Sequence, residues 1–431
     1  MDKNVFYSHL KKYLSQEEID KLRYTLENTQ SVYSALSVDE DKISIEKLKE
    51  LYPTLKDHPV CKNTLIYNKN ELDLGKSLLF EIGAFYLYEP CSPIVSSLLD
   101  LNEDDLVLDM CAAPGGKTIQ ASFLMHNKGL LISNEISKSR AEILSSNVEK
   151  YGRKNTIVIS SDCNAFKDKY ENTFSKIILD APCSGSGMFR KESKMMDDWT
   201  LEKMLALTPL QKELILIAYS LLKPGGTMVY STCSFSYEED EEVIKYLLEN
   251  TDAILDDIPH IEGEYRSDLN KTIHLFPHLF DGEGHFIAKI KKPGTLIKPV
   301  FAQEKKNKLP FILKEEGNII FNKNNDIYLT THPFNLYNLH IIRAGIKVGN
   351  YDKKLGIVYD HALCRTSNAE LDKVEVTIDE AKKYILGNPI NKMYKKGYVN
   401  LTYLNIPFAL SKSVNGIFKN HYPKGLRKNI I

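Results

Sequence analysis

Apolar positions along this chain change period partway. From Leu10 to Leu26, and again from Ile43 to Leu55, Leu, Ile and Tyr recur at mixed spacings of three and four, which predicts a helical N-terminal region over residues 1–60. After about residue 100 the pattern becomes short apolar runs separated by longer amphipathic stretches. Residues 106–110, 130–134, 156–160, 175–179 and 227–230 read as strands buried on both faces, and 285–291 alternates as a last strand. Helices are expected between them, at 139–151 with Gly152 as its stop and at 205–222 closed by Lys223-Pro-Gly-Gly226. Residues 238–242 read as an acidic helix opening, favourable at the positive end of the helix dipole. Strand and helix in alternation predict an α/β domain built on an open, mostly parallel sheet. Residues 293–325 are polar, lysine-rich and punctuated like a linker, and strand-like pieces recur at 327–330, 339–343, 373–377 and 398–403.

Three of these strands end in the same way, in a cysteine within a tight turn. The first runs Leu106-Val-Leu-Asp-Met-Cys-Ala-Ala-Pro-Gly-Gly-Lys-Thr118, a strand broken by Pro114, Gly115 and Gly116 and resumed as a helix. Glycines there let the backbone approach a ligand, and the leading N–H groups of the helix point toward it. A phosphate-binding loop would need glycine where Cys111 stands, and the dinucleotide fingerprint G-x-G-x-x-G cannot be placed either. The second strand leads into Asp180-Ala-Pro-Cys-Ser-Gly-Ser-Gly187 and the third into Ser231-Thr-Cys-Ser234. Ends of neighbouring parallel strands share one edge, where ligands bind, so Cys111, Asp180, Cys183 and Cys233 are expected to converge. Glu135, closing the strand 130–134, is placed to accept hydrogen bonds from ribose hydroxyls.

The motifs LDMCAAPGGKT, LDAPCSGSGMFRKE and VYSTCSFSYEEDE, in this order, resemble the Nop/Sun family of S-adenosylmethionine-dependent RNA cytosine C5-methyltransferases. The ending Lys419-Asn-His-Tyr-Pro-Lys-Gly-Leu-Arg427 is similar to the bacterial small-subunit ribosomal RNA methyltransferase F group within it. The resemblance implies a Rossmann-like class I methyltransferase core with a helical N-terminal region and a small β-rich, PUA-like C-terminal domain. It also implies that S-adenosylmethionine sits against Cys111, Ala112, Ala113, Pro114, Gly115, Gly116 and Lys117, with Glu135 on the ribose, Asp162 on the adenine edge and Asp180 beside it. The chemistry needs a thiolate, because carbon 5 of cytosine becomes nucleophilic only after addition at carbon 6. Cys183 and Cys233 both follow strands in polar turns, and the residues alone do not choose between them. By resemblance Cys233 is the nucleophile and Cys183 assists product release, while Asp180 and Lys117 face the polar edge of the cytosine. Arg190 and Lys191 are expected to hold phosphates. Glu89 and Cys91 lie in the stretch that leads to the cofactor strand, where Cys91 replaces the family's usual serine. An Arg-Val-Asn type RNA contact of the family aligns best with Leu36-Ser-Val-Asp39, without its arginine or asparagine.

Charge adds a partner. The net charge of −1 divides into −12 over the first 292 residues and +11 over 293–431, and after residue 380 there are ten basic residues and no acidic one. Cations interleaved with Tyr, Phe and Asn suit an RNA surface. Seven cysteines without paired spacing fit a reducing cytosol, no signal-peptide pattern opens the chain, and no zinc spacing occurs. These features predict four parts: an N-terminal region 1–60, a catalytic domain 61–292, a connecting region 293–345 and a basic RNA-binding domain 346–431. The expected protein is a cytoplasmic monomer acting on small-subunit ribosomal RNA. Transfer RNA as substrate, or an RNA-binding assembly factor that keeps the fold, are the alternatives.

Overall fold

Both-face burial of the short apolar runs builds the centre of the computed structural model, which describes residues 3–299, 301, 318–321, 325–336, 339–365 and 371–430. Five strands are parallel, in the order Leu222–Thr232, Phe174–Asp180, Leu106–Asp109, Leu130–Asn134 and Thr156–Ile159. Antiparallel strands extend both edges: His285–Lys291 beside Leu222–Thr232, and Ile341–Ala344 beside Thr156–Ile159. Along Leu106–Asp109 the side chains alternate between two cores. Leu106 and Leu108 face Ile132, Ile177 and Met228, whereas Val107 faces Leu131, Ile178, Val229 and Ile287. The helix Leu201–Leu221 is the one helix among the described residues long and apolar enough to cross a membrane, and its Ile215, Ala218 and Leu221 are buried in the first of these cores.

The chain leaves the central strand Leu106–Asp109 toward Thr156–Ile159 and then returns to its other side as Phe174–Asp180. That reversal opens a crevice at the carboxyl ends of the strands, the binding position of doubly wound sheets. Register places Asp109 beside Ser133, and Asp180 beside Ser231, so the motif-bearing turns leave the sheet at one edge.

Several expectations are corrected. The N-terminal region holds the helices Lys3–Leu10, Gln16–Asn28 and Ile45–Leu51, but Tyr33–Val38 between them is a strand. It pairs with Thr64–Asn68 and Phe85–Tyr88, so one small sheet crosses the expected boundary at residue 60. Leu36, Val38 and Asp39 are buried there, and Asp39 pairs with Arg153 at 2.5 Å, which removes Leu36-Ser-Val-Asp39 from any RNA-facing surface. Lys223-Pro-Gly-Gly226 does not follow the helix as a loop but opens the long strand Leu222–Thr232, with a register shift there. The boundary at residue 345 also falls inside structure. Asp326–Thr330 pairs with Ile346–Asp352, while Ile341–Ala344 joins the central sheet. Most of the linker expected at 293–325 lies outside the described residues.

The C-terminal part is a five-stranded sheet, Asp372–Glu375 to Ile417–Lys419, with one helix, Ile378–Ile385. Its Val376, Tyr384, Leu401 and Phe408 share a core with Leu36, Leu65 and Phe85 of the N-terminal sheet. Tyr422 seals the junction by donating its hydroxyl hydrogen to Glu81 at 2.9 Å. Lys383, Lys392, Lys395, Lys396, Lys419, Lys424 and Lys428 are exposed on this domain.

Candidate active site

The turn after the central strand is held from behind. Arg140 donates to the Ala113 carbonyl and Asn147 to the Pro114 carbonyl, each at 2.8 Å, and the Ala112 amide donates to Asn134 at 2.8 Å. The Ala113–Pro114 peptide is cis. Gly115 has φ +114°, and a Cβ there would stand 2.8 Å from Leu144 Cδ1, so only glycine fits both the conformation and the space. The helix Gly116–Leu124 then starts, and its leading N–H groups lack intrahelical acceptors. Behind the turn lies a residue that pattern reading missed. Asp109 is fully buried, accepts from Thr118 Oγ1 at 2.6 Å through one oxygen, and has no partner on the other. Burial pushes its carboxyl up to about 7 against the Thr118 hydrogen bond. An acid interrupting an otherwise apolar strand was the available signal.

Glu135 follows the next strand, buried, with Oε1 accepting from the Ser137 amide at 2.9 Å and Oε2 3.3 Å from Arg140. Asp162 follows the third strand, exposed, and caps the short helix Cys163–Phe166 through the Asn164 amide at 2.8 Å. Cys111 and Cys163 sit against each other, and their contact and burial raise the Cys111 thiol well above its usual range.

On the other side of the crevice the two remaining cysteines meet: Cys183 Sγ and Cys233 Sγ are 3.3 Å apart, both free. Contact with Cys233, together with burial, keeps Cys183 a thiol. Next to them Asp180 accepts from Lys117 Nζ at 2.8 Å and from Ser231 Oγ at 2.7 Å. Burial pushes the Asp180 carboxyl up, but the Lys117 charge outweighs it and holds the carboxyl below its ordinary value. Lys117, mostly buried, is correspondingly raised, Asp180 outweighing desolvation.

A buried carboxylate ties the two cysteine turns together. Glu239 accepts from the Ser184 amide (2.8 Å), Ser184 Oγ (2.5 Å), Ser234 Oγ (2.5 Å) and Gln211 Nε2 (3.0 Å). The Gly187 amide donates to the Cys233 carbonyl at 2.7 Å, an approach that a Cβ at Gly187 would obstruct. The expected acidic helix opening holds for Glu241 and Glu242, the first turn of the helix Glu241–Asn250, whereas Glu238, Glu239 and Asp240 precede it as buried, specifically partnered groups. Arg190 is also reassigned. It is buried against Glu283 at 3.1 Å, unavailable for phosphate, whereas Lys191 is exposed.

A family model described as 16S rRNA methyltransferase RsmB/F matches residues 96–291, and one described as the methyltransferase RsmF PUA domain matches residues 372–428. Ribosomal RNA small subunit methyltransferase F of Vibrio parahaemolyticus is 31% identical over 415 residues, 86% of each chain. The chain belongs to this methyltransferase family. The Vibrio vulnificus member is likewise 31% identical over 92% of each chain. Among solved structures, NSun6 from Pyrococcus horikoshii with SFG, an analogue of S-adenosylmethionine, is 25% identical with a TM-score of 0.61, covering 66% of this chain and 97% of that one. A methyltransferase homologue from the same organism is 29% identical with a TM-score of 0.59, over 67% and 94%. The Rossmann-like core and PUA-like domain of this RNA methyltransferase family are therefore those of this chain.

Proposed function

We propose that this chain methylates carbon 5 of cytosine in small-subunit ribosomal RNA through a covalent cysteine adduct. The observation that carries the reading is the pair of thiols, 3.3 Å apart, beside the Asp180–Lys117 ion pair at the switch point of a methyltransferase sheet. The residues also fit S-adenosylmethionine: the turn ends in the leading N–H groups of the helix Gly116–Leu124, which lack intrahelical acceptors, and Asp109 brings an unpartnered buried oxygen up behind the turn. Residues 111–117 would hold its methionyl part, Glu135 its ribose and Asp162 its adenine. When bound, it supplies an electrophilic methyl group.

Cys233 Sγ adds to carbon 6 of the flipped base, which turns the ring into an enamine with electron density at carbon 5. Asp180 and Lys117 hold the polar edge of the base and balance the charge that addition develops there. After methylation the carbon 5 proton leaves and the carbon–sulfur bond breaks. Cys183, kept as a thiol 3.3 Å away, donates its S–H to the departing Cys233 sulfur. The exposed lysines of residues 381–431 supply a phosphate-binding surface next to the catalytic domain.

Two variants test the chemistry. Cys233→Ala is expected to abolish methylation while retaining cofactor binding. Cys183→Ala is expected to accumulate a protein–RNA adduct, seen as a slow band on a denaturing gel; the two phenotypes exchanged would overturn the assignment. Bisulfite sequencing of ribosomal and transfer RNA from a deletion strain tests the substrate. Lost protection at small-subunit cytosines supports the reading, loss confined to transfer RNA redirects it, and no change favours an assembly factor.

A further inference from the structure

The reaction needs a base for the carbon 5 proton, and the groups assigned so far are engaged: Asp180 is paired with Lys117 and Ser231, and Cys183 is kept a thiol. His285 is a base without such a commitment. It opens the edge strand His285–Lys291, whose next residue, Phe286, pairs with Thr232, so the imidazole leaves the sheet beside the turn that carries Cys233. The residue is buried, and its Nδ1 has no hydrogen-bond partner. Glu89 Oε1, also buried and unpartnered, stands 3.5 Å from that nitrogen. The other oxygen of Glu89 is pinned by the amides of Cys91 (2.9 Å) and Glu283 (3.1 Å), which fixes the free oxygen toward the ring. A carboxylate 3.5 Å from Nδ1 favours the proton on that nitrogen and so leaves Nε2 as the acceptor of a proton. Glu89 and Cys91 from the segment after Phe85–Tyr88 lie against the ring, and the charges of Lys117 from the cofactor helix and Asp180 from its strand end act on it. Burial lowers the imidazole below its ordinary value, against the opposing charge of Glu89.

We infer that His285, oriented by Glu89, is the base that takes the carbon 5 proton in the release step. The inference rests on the covalent reading above. Nε2 of the neutral imidazole accepts the proton, and the electron pair of the carbon 5–hydrogen bond becomes the ring's 5,6 double bond. The carbon 6–sulfur pair departs onto Cys233, and Cys183 stabilises the thiolate by its S–H. Glu89 acts through His285 and is a positioning residue.

The test is a single-turnover reaction with a small-subunit ribosomal RNA fragment and S-adenosylmethionine labelled in its methyl group. Wild-type enzyme must release methylated RNA; if it does not, the covalent reading itself fails and the role of His285 is not at issue. His285→Ala and His285→Gln, shown by calorimetry to bind S-adenosylmethionine, should form labelled adduct at the wild-type rate. They should release it about a hundredfold or more slowly, the range of general base catalysis, with added imidazole restoring release in the alanine variant. Glu89→Gln should shift the acid limb of the release-rate profile to lower pH, since it removes the anion that favours the imidazolium; a merely structural role would leave that limb in place. Release at the wild-type rate by both His285 variants, or failure of both to form adduct, overturns the proposal. So does stoichiometric zinc in purified protein that is lost on His285→Ala, which would make Glu89, Cys91 and His285 a metal site.

Discussion

Removing the Glu239 carboxylate is the sharpest perturbation of the active-site frame, because four donors from three segments converge on it. Hydrogen bonds to a charged group contribute about 1.5–3 kcal/mol each, but simple addition overstates this case. In Glu239→Ala, Ser184 Oγ and Ser234 Oγ are already 3.3 Å apart and can bond each other, and Gln211 Nε2 keeps the Pro182 carbonyl at 2.8 Å. The donor left stranded is the Ser184 amide. The expected loss is therefore about 3–5 kcal/mol, one stranded buried donor plus the charge assistance of the rest. Glu239→Gln preserves shape and one acceptor oxygen, and its amide can donate to the two hydroxyls, so about 1–2 kcal/mol is expected. Trp199 is the only tryptophan, buried against Phe6, so its fluorescence in a urea titration reports unfolding of this part of the molecule. Adduct formation should fall in the same order, alanine far below glutamine, because the sulfur-to-sulfur geometry depends on both turns. A Glu239→Ala protein within about 1 kcal/mol of wild type, or a glutamine variant as impaired as alanine, would refute the frame argument.

Gly115→Ala should weaken S-adenosylmethionine binding at least tenfold by calorimetry, since the φ of +114° and the 2.8 Å approach to Leu144 force the turn to move, at about 1–3 kcal/mol. Asp109→Asn tests a linkage. The folded carboxyl is raised to about 7, so the native state of the cofactor-free protein holds a proton that the unfolded chain releases near pH 4, and wild-type stability falls as pH rises from about 4 to 7. The asparagine variant should flatten that decline in urea midpoints and exceed wild type above pH 7. Tyr422→Phe leaves buried Glu81 without its 2.9 Å donor, and limited proteolysis should release the C-terminal domain faster, for a loss of about 1–3 kcal/mol.

The central sheet was legible because strands buried on both faces must be apolar at every position, as 106–108, 130–132 and 157–159 are. Three turn motifs at the ends of such strands then had to share an edge, and Cys183, Cys233 and Asp180 do meet there, whereas Cys111, expected with them, packs against Cys163 instead. Tyr33–Val38 was not legible. Its serines and alanine carry no strand signature, and Ser37 is buried only because Thr64, far along the chain, bonds its hydroxyl at 2.8 Å.

The same cause explains each misread charge, and it bears on which residues deserve mutation. Local pattern gives a residue's type and the face it occupies; it does not give the partner that makes burial tolerable. Glu239 looked like a helix-opening acid because its donors lie at Ser184 and Gln211, and Arg190 looked like a phosphate ligand because Glu283 is remote in sequence. Asp109, Glu89 and His285 differ from these in one respect. Each keeps a buried atom without a partner, at an edge where substrate must arrive. A fully satisfied buried charge such as Glu239 holds a frame, and its loss is expected first as instability. At this edge the unsatisfied oxygen of Asp109 is open to a ligand, and the unsatisfied atoms of Glu89 and His285 face each other so that the ring's other nitrogen can take a proton; their loss should register in binding or in the release step while the fold persists. Comparing Glu239→Gln with His285→Gln, both shape-conserving, separates the two: urea midpoint for the first, adduct lifetime for the second.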